Sequence, residues 1–261
     1  MAHRLNIGIA AALAVFLITA AAAIWLTHAD PSGAAGTANP ANSNSTRADS
    51  GNGPPSEASP RSGASRIKPK IRQKLIPFGI KRKHEMARYS KRHYGKREWR
   101  LKQHLQIVEH YAVSGSVGQI FNTFAPDHPD SELGELPNTC AHFAIAPGGR
   151  IYQLVGLGIR CRHVVGLNYL SIGIEHVGYS DHDVLSREKQ MKGSLKLTKW
   201  LRCRYDIDVK DVIGHNESLS SRYHREKVES LKNQTHGDFR HSSMNKYRRQ
   251  LREAGQCPSR R

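Results

Sequence analysis

Leu170-Ser171-Ile172-Gly173-Ile174-Glu175-His176-Val177 is the stretch from which the fold can be read. Side chains alternate across a strand, so Ile172 and Ile174 face one way while Ser171, Gly173 and Glu175 face the other. The isoleucines can pack inward, and the opposite face pairs small residues with one carboxylate, which leaves room for a ligand. Working outward, Gln106-Ile107-Val108-Glu109-His110-Tyr111 reads as a second strand. Ala141–Ala146 and Ile151–Val155 flank Pro147-Gly148-Gly149, a hairpin signal. Residues 187–205 read as an amphipathic helix: Met191 and Leu195 are four apart, and Leu197, Trp200, Leu201 and Tyr205 follow at spacings of three and four. Lys210–Gly214 is a short strand that ends at His215. The pattern predicts an α/β domain over residues 104–261, with a central mixed β-sheet flanked by helices on both faces. No internal repeat is visible.

The rest of the chain differs in composition. Ile7–Leu26 is an uncharged run of 20 residues with one polar member, Thr19. A helix of that length spans a hydrocarbon layer of about 30 Å. Arg4 precedes it and no Lys or Arg follows before Arg47, so the positive-inside rule sends the remainder of the chain outward. Residues 1–29 therefore read as a signal-anchor or a cleaved signal peptide. Residues 30–65 are rich in Ser, Gly, Ala, Pro, Asn and Thr, a composition too poor in large apolar side chains to offset ordering entropy, and they read as a flexible tether. Residues 66–103 form a basic lead segment, with fifteen Lys or Arg against Glu85 and Glu98 in 66–102, interleaved with Phe78, Tyr89, Tyr94 and Trp99. This segment is either a surface for anionic cell-wall polymer or lipid heads, or an arm that packs Ile76, Phe78, Tyr89 and Trp99 on the domain.

The net charge of +18 lies wholly on residues 66–261, because residues 1–65 carry three basic and three acidic side chains. Such a domain attracts polyanions. The export-type segment and the lack of any nucleic-acid motif disfavour nucleic acid as the partner. Cys140, Cys161, Cys203 and Cys257 are an even set. Outside the membrane they imply two disulfides, in any of three connectivities. Cys140 is also a conceivable metal ligand, and Cys203 a buried helix residue.

Of the 15 histidines, the informative ones sit at strand ends, His110 at the close of its strand and His215 after Val212-Ile213. In this context a series of motifs resembles the zinc-dependent N-acetylmuramoyl-L-alanine amidases, whose fold peptidoglycan recognition proteins share. The series is Glu109-His110-Tyr111, Ala141-His142-Phe143, Gly149-Arg150-Ile151-Tyr152-Gln153, Arg162-His163 with Gly166 and Asn168, Ser171–Glu175, and Ile213-Gly214-His215-Asn216-Glu217. The resemblance covers roughly residues 105–240, and its strength is the order of the motifs.

The resemblance implies an enzyme that hydrolyses the amide between N-acetylmuramic acid and L-alanine of peptidoglycan, outside the cytoplasm. It implies zinc held by His110, His215 and a third ligand. Aligning the family's Lys-x-Asp onto Gln234-Thr235-His236 makes His236 that ligand and puts Gln234 in place of the lysine; Asp238 is the alternative. No local His-Glu-x-x-His pair exists, so the ligands must converge through the fold. Two His plus one further ligand, with one position open, is the pattern of a catalytic zinc site. Glu175 resembles the catalytic glutamate, which takes a proton from water and passes it to the leaving amine. His163 and Asn168 are candidates for substrate contact or for hydrogen bonding within their own loop. The competing function is a peptidoglycan-binding module of the same fold that does not cut.

Overall fold

The computed structural model describes residues 62–258. Segment 1–29 and the tether up to residue 61 lie outside them. Among the described residues no helix is long and apolar enough to cross a membrane. The last tether residues are part of the fold: Ser62–Ile67 form a 3-10 helix with Ala64 buried.

A six-stranded sheet organises the domain. Its strands are β1 (Ile71–Gln73), β2 (Gln106–Tyr111), β3 (Phe143–Ile145), β4 (Ile151–Gln153), β5 (Ser171–His176) and β6 (Val212–Gly214), in the order β1-β4-β3-β5-β2-β6. Only the β3–β4 hairpin is antiparallel; all other neighbours are parallel. The sheet is mixed, as the sequence predicts. β2 and β5 are buried along nearly their whole length, as expected of central parallel strands covered on both faces.

The alternation in β2 and β5 decides which layer each face meets. Ile107, Ile172, Ile174 and Val212 pack with Leu197 and Leu201 of α4 (Glu188–Tyr205) and with Met244, Tyr247 and Leu251 of α5 (His241–Glu253). Each such side chain contributes about 1.5–3 kcal/mol by leaving water. On the other face Val108 and Ile213 pack on Val164 and Leu167 of the long β4–β5 connection. Further along that face Ala144 and Leu154 meet Ile120 and Phe124 of α2 (Val117–Phe124). α4 ends at Asp206, which adopts φ 60° and returns its N–H to the Arg202 carbonyl. The disulfides are Cys140–Cys161 and Cys203–Cys257, so no cysteine is left to bind metal.

The basic lead segment belongs to this unit, and residue 104 is not a structural boundary. β1 pairs with β4 at the sheet edge. Helix α1 (Ile80–Tyr94) buries Met86, Tyr89, His93 and Tyr94. Arg82 is also buried, its guanidinium donating to the carbonyls of Phe124 and Asn138. Ile76 and Tyr89 are buried and Phe78 and Trp99 half-buried, so the packed-arm reading describes this segment. Lys81, His84, Arg88 and Lys91 remain exposed on the outer side of α1. A second short helix, α3 (Asp181–Leu185), precedes α4.

Candidate metal centre

The parallel register sets two groups side by side. His110 of β2 is the cross-strand partner of Glu175 of β5, and partners on one face of a parallel pair sit about 4.8 Å apart. Both lie at the carboxyl ends of their strands, and His215 begins the 3-10 turn directly after β6. Open α/β sheets place ligands at such strand ends.

Asp238 completes the group. His110 Nδ1 lies 3.0 Å from Asp238 Oδ2 and 3.1 Å from His215 Nδ1, and His215 Nδ1 lies 3.3 Å from Asp238 Oδ1. One ligand atom from each residue falls within 4.8 Å of the others, and all three side chains are buried. His236 is not in the group. Its ring is 45 % exposed and stacks on His215, and its Nε2 is 3.0 Å from Glu132 Oε1.

Of the two candidates for third ligand, Asp238 and not His236 stands with His110 and His215, and the cause is the backbone. Gly214 has no Cβ, and a Cβ there would stand 1.9 Å from the Phe239 carbonyl oxygen. Segment 237–239 can therefore lie against the end of β6. The Asp181 carboxylate accepts from the N–H groups of Phe239 and Arg240, and Asn216 N–H donates to the Asp238 carbonyl. With Asp238 in the group, the residue two positions earlier is His236, so His236 rather than Gln234 stands where the resemblance expects lysine.

The donor set fits a metal ion: two imidazole nitrogens and a carboxylate converge from one side, the ligand types zinc takes. His215 Nε2 is buried without a hydrogen-bond partner, while its Nδ1 faces His110 and Asp238. Burial disfavours the charged His215 imidazole and brings its pKa down to about 4. Burial opposes charge on His110 too, but the Asp238 bond and the nearby carboxylates outweigh it and raise its pKa. Asp238 is held well below the usual carboxylate range by its bonds to the two imidazoles, which overcome its burial.

Glu175 is buried beside this group with Oε2 unpartnered. Burial pushes its pKa up to about 7. His110, Glu175, His215 and Asp238 all line one cleft of about 480 Å³, whose other wall includes Glu132 and Leu133.

The candidates for substrate contact, His163 and Asn168, line the cleft and make hydrogen bonds within their own loop. The Asn168 side chain is buried; its Oδ1 accepts from the N–H groups of His163 and Val164, and its Nδ2 donates to Tyr89 Oη. His163 packs its ring over Gly173, where a Cβ would meet ring Cγ at 2.7 Å. Its Nδ1 is 3.0 Å from His110 Nε2. Both residues touch the cleft wall, but their polar atoms are spent on the loop and on His110. His142 is likewise structural: its Nδ1 accepts from Gly173 N–H and its Nε2 donates to the Ile159 carbonyl.

Residues 100–228 match the family model described as N-acetylmuramoyl-L-alanine amidase. No curated protein sequence matches the chain. Among solved structures, the amidase LysC from Clostridium intestinale URNW is 17 % identical, over 71 % of this chain and 99 % of its own, with TM-score 0.44. A mutant endolysin from Bacillus subtilis is 18 % identical, over 70 % and 98 %, with TM-score 0.43. The E. coli amidase AmiD, in complex with an anhydro-N-acetylmuramic acid peptide, is 18 % identical, over 44 % and 49 %, with TM-score 0.35. At these identities and scores the structures add likeness only, and the assignment rests on the family match. Over residues 100–228 the chain belongs to the N-acetylmuramoyl-L-alanine amidase family, and it is a hydrolase of peptidoglycan.

Proposed function

We propose that the protein cuts the lactyl–L-alanine amide of peptidoglycan with a zinc ion held by His110, His215 and Asp238, and with Glu175 as its proton shuttle. The observation that carries this reading is the buried, unpartnered Glu175 carboxylate beside a convergent set of two imidazoles and one carboxylate. Zinc bound there would polarise the amide carbonyl and make water acidic, with a pKa near about 7.

The chain's own residues do the rest. Glu175, with its pKa brought to about 7 by burial, is matched to accept and return a proton near neutrality. It takes a proton from the attacking water as that oxygen bonds to the lactyl carbonyl carbon. It then gives the proton to the alanine nitrogen as the C–N bond breaks. His236, hydrogen-bonded to Glu132 across the cleft, occupies the register position of the family's lysine and is suited to serve the developing oxyanion. A module that only binds has no use for a buried carboxylate without a partner.

The substrate and the two disulfides support action outside the cytoplasm, where disulfides persist. The sequence of residues 1–29 is suited to export, as a membrane anchor or a cleaved signal. The exposed cations of α1 are suited to anionic wall polymer or lipid heads. The test is release of stem peptide from purified peptidoglycan by the full chain, with and without zinc. Cleavage that a chelator abolishes and zinc restores supports the reading; cleavage indifferent to chelator after verified zinc removal contradicts it.

A further inference from the structure

We infer that Ser171 and His163 form a polar chain that fixes His110 as an Nδ1 ligand, so that both act as positioning residues and not as substrate contacts. The inference rests on the metal-centre reading above and deepens it.

The chain begins at a backbone carbonyl. Ser171 Oγ lies 2.8 Å from the Leu167 carbonyl oxygen and 3.2 Å from His163 Nε2. A serine hydroxyl has one proton. The carbonyl can only accept, and it makes the shorter contact, so the proton points to Leu167. Ser171 Oγ then accepts from His163 Nε2–H. A neutral imidazole carries a single N–H; with that proton on Nε2 toward Ser171 Oγ, His163 Nδ1 is an acceptor. Nδ1 lies 3.0 Å from His110 Nε2. The donor in that bond must therefore be His110 Nε2–H. His110 thus keeps a proton on Nε2, and Nδ1, the atom that faces Asp238 and His215, is the one left to give its lone pair to a metal.

The opposite polarity would defeat the site. If His163 carried its proton on Nδ1, His110 would accept at Nε2 and present Nδ1–H to the other ligands. The structure also builds the room this chain needs. Gly173 leaves space for the His163 ring, and the Asn168 amide holds the backbone N–H groups of His163 and Val164. A metal-bound histidine commonly donates its second N–H to a fixed acceptor, and loss of that acceptor costs about 10–100-fold in metal affinity. Here the acceptor is another imidazole, itself oriented by a serine.

The test uses the full chain and reads zinc affinity by chelator competition, beside the His163 tautomer by ¹⁵N NMR of the zinc-free, histidine-labelled protein. His163→Leu removes the acceptor, while His163→Asn keeps an oxygen near the position of Nδ1. The expected results are a loss of about 10–100-fold in affinity for His163→Leu, substantial rescue in His163→Asn, a smaller loss in Ser171→Ala, and an Nε2–H tautomer for His163. Zinc bound as tightly by His163→Leu as by wild type, no rescue by His163→Asn, or an Nδ1–H tautomer for His163 would each overturn the inference. The tautomer is read without metal, so it still decides the matter if the wild type binds no zinc, the outcome that would sink the metal reading instead.

Discussion

His110 and Glu175 are register partners on adjacent parallel strands, β2 and β5, with both side chains on the face that opens into the cleft. One residue belongs to the group that could hold a metal and the other is an unpartnered carboxylate raised to about 7. Pairing register therefore sets the geometry of metal and base, and a shift of one residue would turn Glu175 to the α4 side.

Glu175→Gln keeps the shape and removes the proton acceptor. Zinc content is expected to stay at the wild-type level while stem-peptide release falls about 10²–10⁴-fold. Loss of zinc together with activity would show instead that Glu175 holds the site together.

Gly214→Ala inserts a methyl where the Phe239 carbonyl oxygen now stands 1.9 Å from the ideal Cβ position. The 237–239 segment must move, and Asp238 with it. The expected cost is about 1–3 kcal/mol of stability with weaker zinc binding, measured by thermal melts with and without metal. Unchanged zinc affinity would show that Asp238 is placed by other contacts.

How much of this was legible in the sequence differs by element. β2, β5, the β3–β4 hairpin and α4 announce themselves by alternation or by spacings of three and four. α1 does not, because its buried side includes Arg82 and His93, whose burial depends on carbonyls and carboxylates from distant loops. α5 has Met244, Tyr247 and Leu251 at helical spacing within a strongly polar run, a signal easily passed over. The choice between His236 and Asp238 turns on how closely the backbone of Phe239 approaches Gly214. The role of His163 depends on ring contacts between a loop and two strands. Spacing along the chain encodes neither.

His93 gives a pH prediction away from the metal. Its ring is fully buried, with Nδ1 2.9 Å from Glu226 and Nε2 3.0 Å from Glu135. Burial alone would lower its pKa, but the two carboxylates raise it above 6.5. A raised folded-state pKa means that the stabilisation is fully present below about 6.5 and is lost as pH rises through the folded value. The destabilisation caused by His93→Gln, about 2 kcal/mol at pH 6, should shrink as pH rises beyond that value. Denaturant melts of both proteins across that range would show it; a gap that widens with pH would contradict the assignment.

The Cys203–Cys257 disulfide ties α4 to the chain beyond α5 across a sequence separation of 54. Cys203→Ala/Cys257→Ala should lower unfolding free energy by about 2–5 kcal/mol with zinc still bound, because neither residue touches the site. Zinc loss from the folded double variant would contradict this.

The most direct test of the central claim is zinc stoichiometry in the full-length wild type, Asp238→Ala and His236→Ala, each checked for folding. The account predicts about one zinc per chain in the wild type and in His236→Ala, and none retained in Asp238→Ala. Zinc lost from His236→Ala and kept by Asp238→Ala would contradict it and make His236 the third ligand.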